Sequence, residues 1–224
     1  MLKAVLFDMD GVIVDTEPLH HKAYHAMFKE VDIPVSKEQY QAYTGQSTIN
    51  ICKDLCEKFS LSEAPETLMA LKRKHFKTLF TTDDELKLIT GVEKLIVDFY
   101  ENDTTLILAS SASMATINAV FDRFDLNKYF KGKLSGADLE ASKPHPEIFE
   151  KAAETAQTPK QNCIVIEDST NGVKAAHAAG IYCVGYNSLN SKNQDYRLAN
   201  TVIENFHNFS FHHANKLLKN LNDL

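Results

Sequence analysis

Four short apolar runs constrain this chain more than any other feature: Ala4–Phe7, Thr105–Ala109, Cys163–Ile166 and Ile181–Val184. Each is a continuous apolar stretch rather than an alternating one, the pattern of a strand buried on both faces of a parallel sheet. Segments of helical period separate the later runs. Val92, Leu95, Ile96 and Phe99 make one stripe, Ile148, Phe149 and Ala152 another, and Gly180 is placed to end a helix that begins near Asn171. Strand–helix–strand repetition requires right-handed crossovers and predicts an α/β fold on a parallel, Rossmann-like sheet. Lys133–Gly136 is a candidate for one further short strand.

The stretch from Asp15 to Asp84 breaks that rhythm and reads as helices only. Pro18 suits a first helical turn, with Leu19, Ala23, Ala26 and Met27 supplying the apolar face behind it. Ser36 with Gln39 spells a capping box for a second helix, which Gly45 could close. Ile49, Cys52, Leu55, Cys56 and Phe59 then keep helical spacing, and a further helix is expected from Glu66 to Phe80. The predicted organisation is therefore a Rossmann-like core built from residues 1–14 and 85–224, with an all-helical domain inserted at 15–84.

Composition narrows the function classes. The net charge of -6 argues against a nucleic-acid partner, since phosphate-tracking surfaces need clustered Lys and Arg. The densest basic cluster, Lys72-Arg73-Lys74, reads as a solvated helix face, with contact to a substrate phosphate as the alternative. Cys52, Cys56, Cys163 and Cys183 include no C-x-x-C pair, and buried reduced thiols point to a cytoplasmic protein. No apolar stretch approaches the roughly 20 residues of a membrane span, and the N-terminus has no signal-peptide profile. No membrane partner is expected, and a monomer is the default at this size.

In open parallel sheets ligands bind beyond the carboxyl ends of the strands. That rule selects Asp8-Met9-Asp10-Gly11 after the first run, Ser110 after the second, and Glu167-Asp168 after the third, with Lys143 in the loop Ser142-Lys143-Pro144-His145-Pro146. Acidic side chains gathered at neighbouring strand ends repel one another, and an all-oxygen donor set favours Mg²⁺. Asp8 and Asp10 stand two residues apart, so an extended backbone points both the same way, and Gly11 permits a tight exit. One carboxylate can attack phosphorus while the other handles a proton, and Lys143 and Ser110 can hold phosphoryl oxygens. Each feature alone has a plainer reading: a surface D-x-D loop, a serine making a turn, a solvated lysine, an acidic helix N-terminus.

Together these segments carry a resemblance. Phe7-Asp8-Met9-Asp10-Gly11-Val12 followed by Asp15-Thr16-Glu17-Pro18-Leu19-His20 resembles the first motif of haloacid dehalogenase-type phosphatases. Ala109-Ser110-Ser111, Ser142–Pro146 and Ile166-Glu167-Asp168-Ser169 with Asn171-Gly172-Val173 resemble the second, third and fourth. The subgroup most similar is that of β-phosphoglucomutase and the small sugar-phosphate phosphatases. The resemblance implies that Asp8 forms a phosphoaspartyl intermediate and binds Mg²⁺. It implies Asp10 as general acid/base and carbonyl ligand, Ser110 and Lys143 as phosphoryl grips, Asp168 with Glu167 as further metal ligands, and a helical cap closing over a small phosphorylated metabolite. Gly45, Gln46 and Ser47, with Ser111 and His20, are the substrate-binding candidates; Asn50 is another polar residue of the same cap loop.

The expected activity is hydrolysis of a small phosphomonoester. Halide-cleaving members lack the second aspartate of D-x-D, so Asp10 argues against dehalogenation. A mutase resembling β-phosphoglucomutase would place an arginine in Gly45–Asn50, where this chain has no basic residue, and a lysine near Ser111-Ala112-Ser113. Mutase and pyrophosphatase remain the alternatives, with Lys72, Arg73, Lys74 or Lys77 able to compensate in a mutase. A silent phosphate-binding module would have lost one of Asp8, Asp10, Lys143 and Asp168, and all are present.

Overall fold

A computed structural model describes residues 1–43, 48–188 and 193–222. It contains two compact units: Met1–Asp15 with Lys87–Leu224, and Thr16–Leu86.

The first unit is built on six parallel strands: β1 (Ala4–Phe7), β2 (Thr105–Ser110), β3 (Phe130–Ser135), β4 (Cys163–Glu167), β5 (Tyr182–Tyr186) and β6 (Thr201–Ile203). Their spatial order is β3-β2-β1-β4-β5-β6. Phe7 is paired with Leu108 on one side and Ile166 on the other, which puts β1 at the centre. The order reverses between β1 and β4, and the crevice beyond their carboxyl ends is where such sheets place ligands.

Both sheet faces are covered, so the central strands are apolar throughout. Ala4, Leu6, Ile107, Ala109 and Val165 pack with the alanine-rich faces of α7 (Glu147–Ala156) and α8 (Thr170–Ala179). On the opposite face Phe7 meets Phe99 of α5 (Val92–Glu101) and Phe130, which in turn meets Phe121 of α6 (Met114–Arg123). Phe99 continues to Phe209, which precedes α9 (Phe211–Asn222). Gly180 closes α8 in the left-handed conformation (φ +70°), the helix stop expected of it.

The edges differ from expectation. The candidate strand at Lys133–Gly136 begins three residues earlier, at Phe130, and ends at Ser135. Its residues, Lys131 and Lys133 among them, are half-exposed or exposed up to Ser135; charged residues on an edge strand deter further pairing but hide it from an apolar search. β6 was not anticipated: it has three residues and Val202 is exposed, so burial leaves no trace in its sequence.

The second unit holds α1 (Glu17–Glu30), α2 (Lys37–Ala42), α3 (Thr48–Lys58) and α4 (Pro65–Thr82), with no strand among its described residues. Pro18 lies in the first turn of α1. The capping box is present, Ser36 Oγ accepting from the Gln39 amide (3.2 Å) while Gln39 Oε1 accepts from the Ser36 amide (2.8 Å). α2 is capped at Tyr43, and Gly45, the stop expected for it, lies outside the described residues. Tyr24, Met27, Phe28, Cys52, Leu55 and Leu68 form the unit's core.

Two expectations fail here. Cys56 is only half-buried, unlike the other three thiols. Lys72 is not on a solvated face: it is 4% exposed, although Arg73 and Lys74 beside it are exposed. The residue one turn earlier is the buried Leu68 and the one later is Phe76, so Lys72 lies in the apolar stripe of α4. Among the described residues no helix is long and apolar enough to cross a membrane.

Candidate active site

The carboxyl ends of β1, β2 and β4 bring the predicted core residues together. Asp8 follows β1, its amide bonded to the Ile166 carbonyl of β4 (3.0 Å). The chain then turns back on itself, Gly11 N–H reaching the Val14 carbonyl (2.8 Å) and Ile13 N–H the Met9 carbonyl (2.8 Å). Gly11 has φ +80°, and a Cβ there would overlap the Asp168 carboxylate. The glycine is required both by the turn and by the close approach of Asp168.

Lys143 ties the strands to one another. Its ammonium donates to Asp8 Oδ1 (2.6 Å), Glu167 Oε1 (2.7 Å) and the Ala109 carbonyl at the end of β2 (3.0 Å). The side chains of Lys143, Asp8 and Glu167 are 5%, 9% and 1% exposed, so these are interior ion pairs. Glu167 is held on its other oxygen, Oε2 accepting from the Ser169 amide (2.7 Å) and hydroxyl (3.0 Å). Ser169 also caps α8 by accepting from the Gly172 amide (3.1 Å). A Cβ at Gly172 would overlap the Glu167 carboxylate, so this glycine leaves room for the acid.

Electrostatics follow from this crowding. Burial pushes the Asp8 carboxyl up to about 7; Lys143 pulls against that shift, while Glu167 and Asp10 add to it. The Lys143 ammonium is held charged well above its ordinary range: burial opposes the charge, and Asp8 and Glu167 outweigh it. A single cation therefore does not neutralise the surrounding acids.

The same excess of charge tests the fit of Mg²⁺. Asp8, Asp10, Glu167 and Asp168 offer oxygen donors only, the chemistry of a hard divalent cation. Among the described residues no three His, Cys, Asp or Glu side chains are gathered into a ready metal cage, and Asp8 and Glu167 each give an oxygen to Lys143. The donor types and the raised Asp8 carboxyl suit a divalent ion.

Ser110 is fully buried, and its hydroxyl accepts from the Ala112 amide (3.1 Å), the turn-making role open to any serine at a strand end. Ser111 is exposed beside it. His20 belongs to the helical unit: its ring stacks on Phe76 (4.3 Å between centroids) and Nδ1 accepts from the Lys72 ammonium (2.6 Å). Gly45, Gln46 and Ser47 lie outside the described residues.

Sequence reasoning marked the segment after β5 without choosing its role, and missed Tyr196 within it. Tyr196 donates its hydroxyl to the Asp168 carbonyl (2.6 Å) and also lies within reach of the Tyr186 carbonyl (3.1 Å). Gln194 Oε1 accepts from the Thr170 amide (2.8 Å), and the Asp195 amide donates to Thr170 Oγ1 (2.7 Å). The residues around Asn187–Asn200 could be read either as a loop near the site or as a surface excursion; residues 194–196 brace the loop that carries Asp168. An aromatic among Asn, Ser and Asp was the available sign.

The comparisons with known proteins agree with this architecture. Residues 5–186 match the family model of haloacid dehalogenase-like hydrolases. A phosphorylated carbohydrates phosphatase of Thermotoga maritima is 31% identical over 180 residues, covering 80% of this chain and 82% of the relative. A beta-phosphoglucomutase of Bacillus subtilis is 29% identical over 190 residues, covering 82% and 83%. The fold also matches the crystal structure of a family IA HAD hydrolase from Entamoeba histolytica, with a TM-score of 0.83, 22% identity and coverage of 97% and 100%. With most of its length matched by the family model and its acids and lysine converging at the sheet's switch point, the chain belongs to the haloacid dehalogenase-like hydrolases and is an enzyme of phosphoryl transfer.

Proposed function

We propose that this enzyme is a Mg²⁺-dependent phosphatase that hydrolyses a small, sugar-like phosphomonoester through a phosphoaspartyl intermediate on Asp8. One observation carries the reading: the Lys143 ammonium joins Asp8 to Glu167 across the switch point, with Asp168 seated against Gly11. A phosphorylated carbohydrate as the substrate is supported by the names of the phosphatase and mutase relatives.

In the first step an Asp8 carboxylate oxygen attacks phosphorus and the bond to the substrate's alcohol oxygen breaks. Asp10 gives that oxygen its proton, so the leaving group departs as a neutral alcohol. Asp10, now a carboxylate, takes a proton from water, whose oxygen attacks the phosphoaspartyl phosphorus and releases phosphate with Asp8 regenerated. Lys143 and Ser110 hold the phosphoryl oxygens as charge develops on them. Mg²⁺ held by Asp8, Asp168, Glu167 and the Asp10 carbonyl would neutralise further charge on the transferring group. Asp8 must be ionised to attack; Lys143 opposes the burial that raises it, and a Mg²⁺ held here would add to that opposition.

The test is phosphate release with Mg²⁺ from a panel of sugar phosphates, other small phosphomonoesters and pyrophosphate. Release from one monoester class, abolished by chelation and by Asp8→Asn with the fold retained, is the expected result. An enzyme indifferent to EDTA would remove Mg²⁺ from the reading, and retained turnover in Asp8→Asn would remove the nucleophile.

A mutase is the second reading, favoured by the buried ammonium of Lys72 in the helical unit, a cation of the kind a second phosphate demands. Formation of glucose 6-phosphate from β-glucose 1-phosphate, with a bisphosphate primer and little free phosphate, would establish it instead.

A further inference from the structure

We propose that His21 and His25 form a transition-metal site on α1, taking Cu²⁺ or Ni²⁺ ahead of Zn²⁺ and refusing Mg²⁺. The two histidines are four residues apart inside one regular helix, so they share a face. Their ring centroids are 4.2 Å apart with the planes at 42°. A metal bound ~2.0–2.1 Å from one nitrogen of each ring, at a right angle, separates the centroids by about 4.5 Å. The observed ring spacing is therefore close to that of two imidazoles sharing one ion.

Two further observations support a built pair. Both residues are exposed, and among the described residues neither ring's nitrogens make a hydrogen bond. Tyr40 braces both rings, edge-on to His21 at 4.9 Å and tilted to His25 at 5.4 Å, while Phe28 lies 5.5 Å from His25. The ordering of two rotamers is thus largely achieved before a ligand arrives.

The chemistry differs from that of the core. Imidazole nitrogens suit borderline ions in the Irving–Williams order, whereas Mg²⁺ takes oxygen. Other histidines are placed differently: His75 is engaged by Glu30 (2.6 Å) and His20 by Lys72. His212 and His213 are adjacent on α9, so their side chains diverge. Two protein ligands make a site of moderate affinity, completed by water, and Lys37 beside it repels a cation.

The experiment uses the full, untagged chain, stripped of metal and returned to excess Mg²⁺, titrated with Cu²⁺ and read by calorimetry and electron paramagnetic resonance. The expected result is one equivalent of Cu²⁺ with two imidazole nitrogens and a raised Tm. His21→Gln and His25→Gln should each weaken binding at least 10-fold, and the pair His212→Gln/His213→Gln should leave it unchanged. Both targets are exposed, so the variants fold, which circular dichroism checks. Unchanged affinity in the double variant His21→Gln/His25→Gln would overturn the site, as would a single-nitrogen spectrum or displacement of Cu²⁺ by Mg²⁺, which would put the ion on carboxylates.

Discussion

Each unit buries a lysine, and the described contacts of the two differ in kind. Lys143 in the core is paired with carboxylates, Asp8 at 2.6 Å and Glu167 at 2.7 Å. Lys72 in the helical unit touches the His20 imidazole and lies over the rings of Tyr24 (4.9 Å) and Phe76 (5.0 Å). Carboxylates fix the first; the contacts of the second include an imidazole lone pair and aromatic faces. The lesson is that burial of a cation does not by itself identify the chemistry around it. In the core the lysine is one member of an interlocked set of acids, whereas on α4 it lies in an apolar stripe between Leu68 and Phe76.

Removing the two ammonium groups should separate them most strongly. Lys143→Met leaves Asp8 and Glu167 buried against each other, and we expect a stability loss of about 3 kcal/mol with turnover down at least ~1000-fold. Denaturant unfolding and initial rates check this. Gly11→Ala comes next, because φ +80° strains any Cβ and the Asp168 carboxylate occupies its place. Activity should fall about 100-fold, with a stability loss of about 1–2 kcal/mol. Lys72→Met conserves volume and should cost less than Lys143→Met in the same unfolding assay. If it costs as much as Lys143→Met, the contrast collapses.

Acid sharpens the contrast from the His20 side. Burial, and after it Lys72, holds this imidazole down at about 3 against an ordinary value of 6.5. Between those values the unfolded chain binds a proton that the folded chain does not. His20 therefore contributes its full stability above pH 6.5 and loses it as pH falls toward 3. His20→Asn should flatten the pH dependence of unfolding by up to about one proton, and an unchanged slope would mean the imidazole is protonated in place. The smallest effect is expected for Tyr196→Phe, which deletes the hydroxyl bound to the Asp168 carbonyl. The Mg²⁺ concentration for half-activity should rise about 3-fold to 10-fold, with kcat at saturating Mg²⁺ nearly unchanged.

Much of the fold was legible because it rests on burial. The four interior strands are apolar on both faces, and each was found within two residues of its observed ends. β3 and β6 lie at the sheet's edges, where half of each strand faces water and composition stops reporting position. The core site was legible for another reason: its residues sit where strands stop, the positions that the carboxyl-end rule selects. Lys72 was misread because a run of basic residues hides a period of four, with Leu68 before it and Phe76 after it. Tyr196 was missed because its partner is a backbone carbonyl, and a main-chain atom leaves no mark in the sequence.

The central position of β1 also has a consequence for how the enzyme is made. The strand carrying Asp8 is synthesised first, yet its neighbours are Thr105–Ser110 and Cys163–Glu167. As the nascent chain leaves the ribosome, the helices of Thr16–Leu86 are complete before β1 has either partner. Pairing over such sequence separation is slow, and an unpaired apolar strand is prone to aggregate. Asp8 thus waits through most of translation, and the acids around it are complete only when Glu167 and Asp168 emerge.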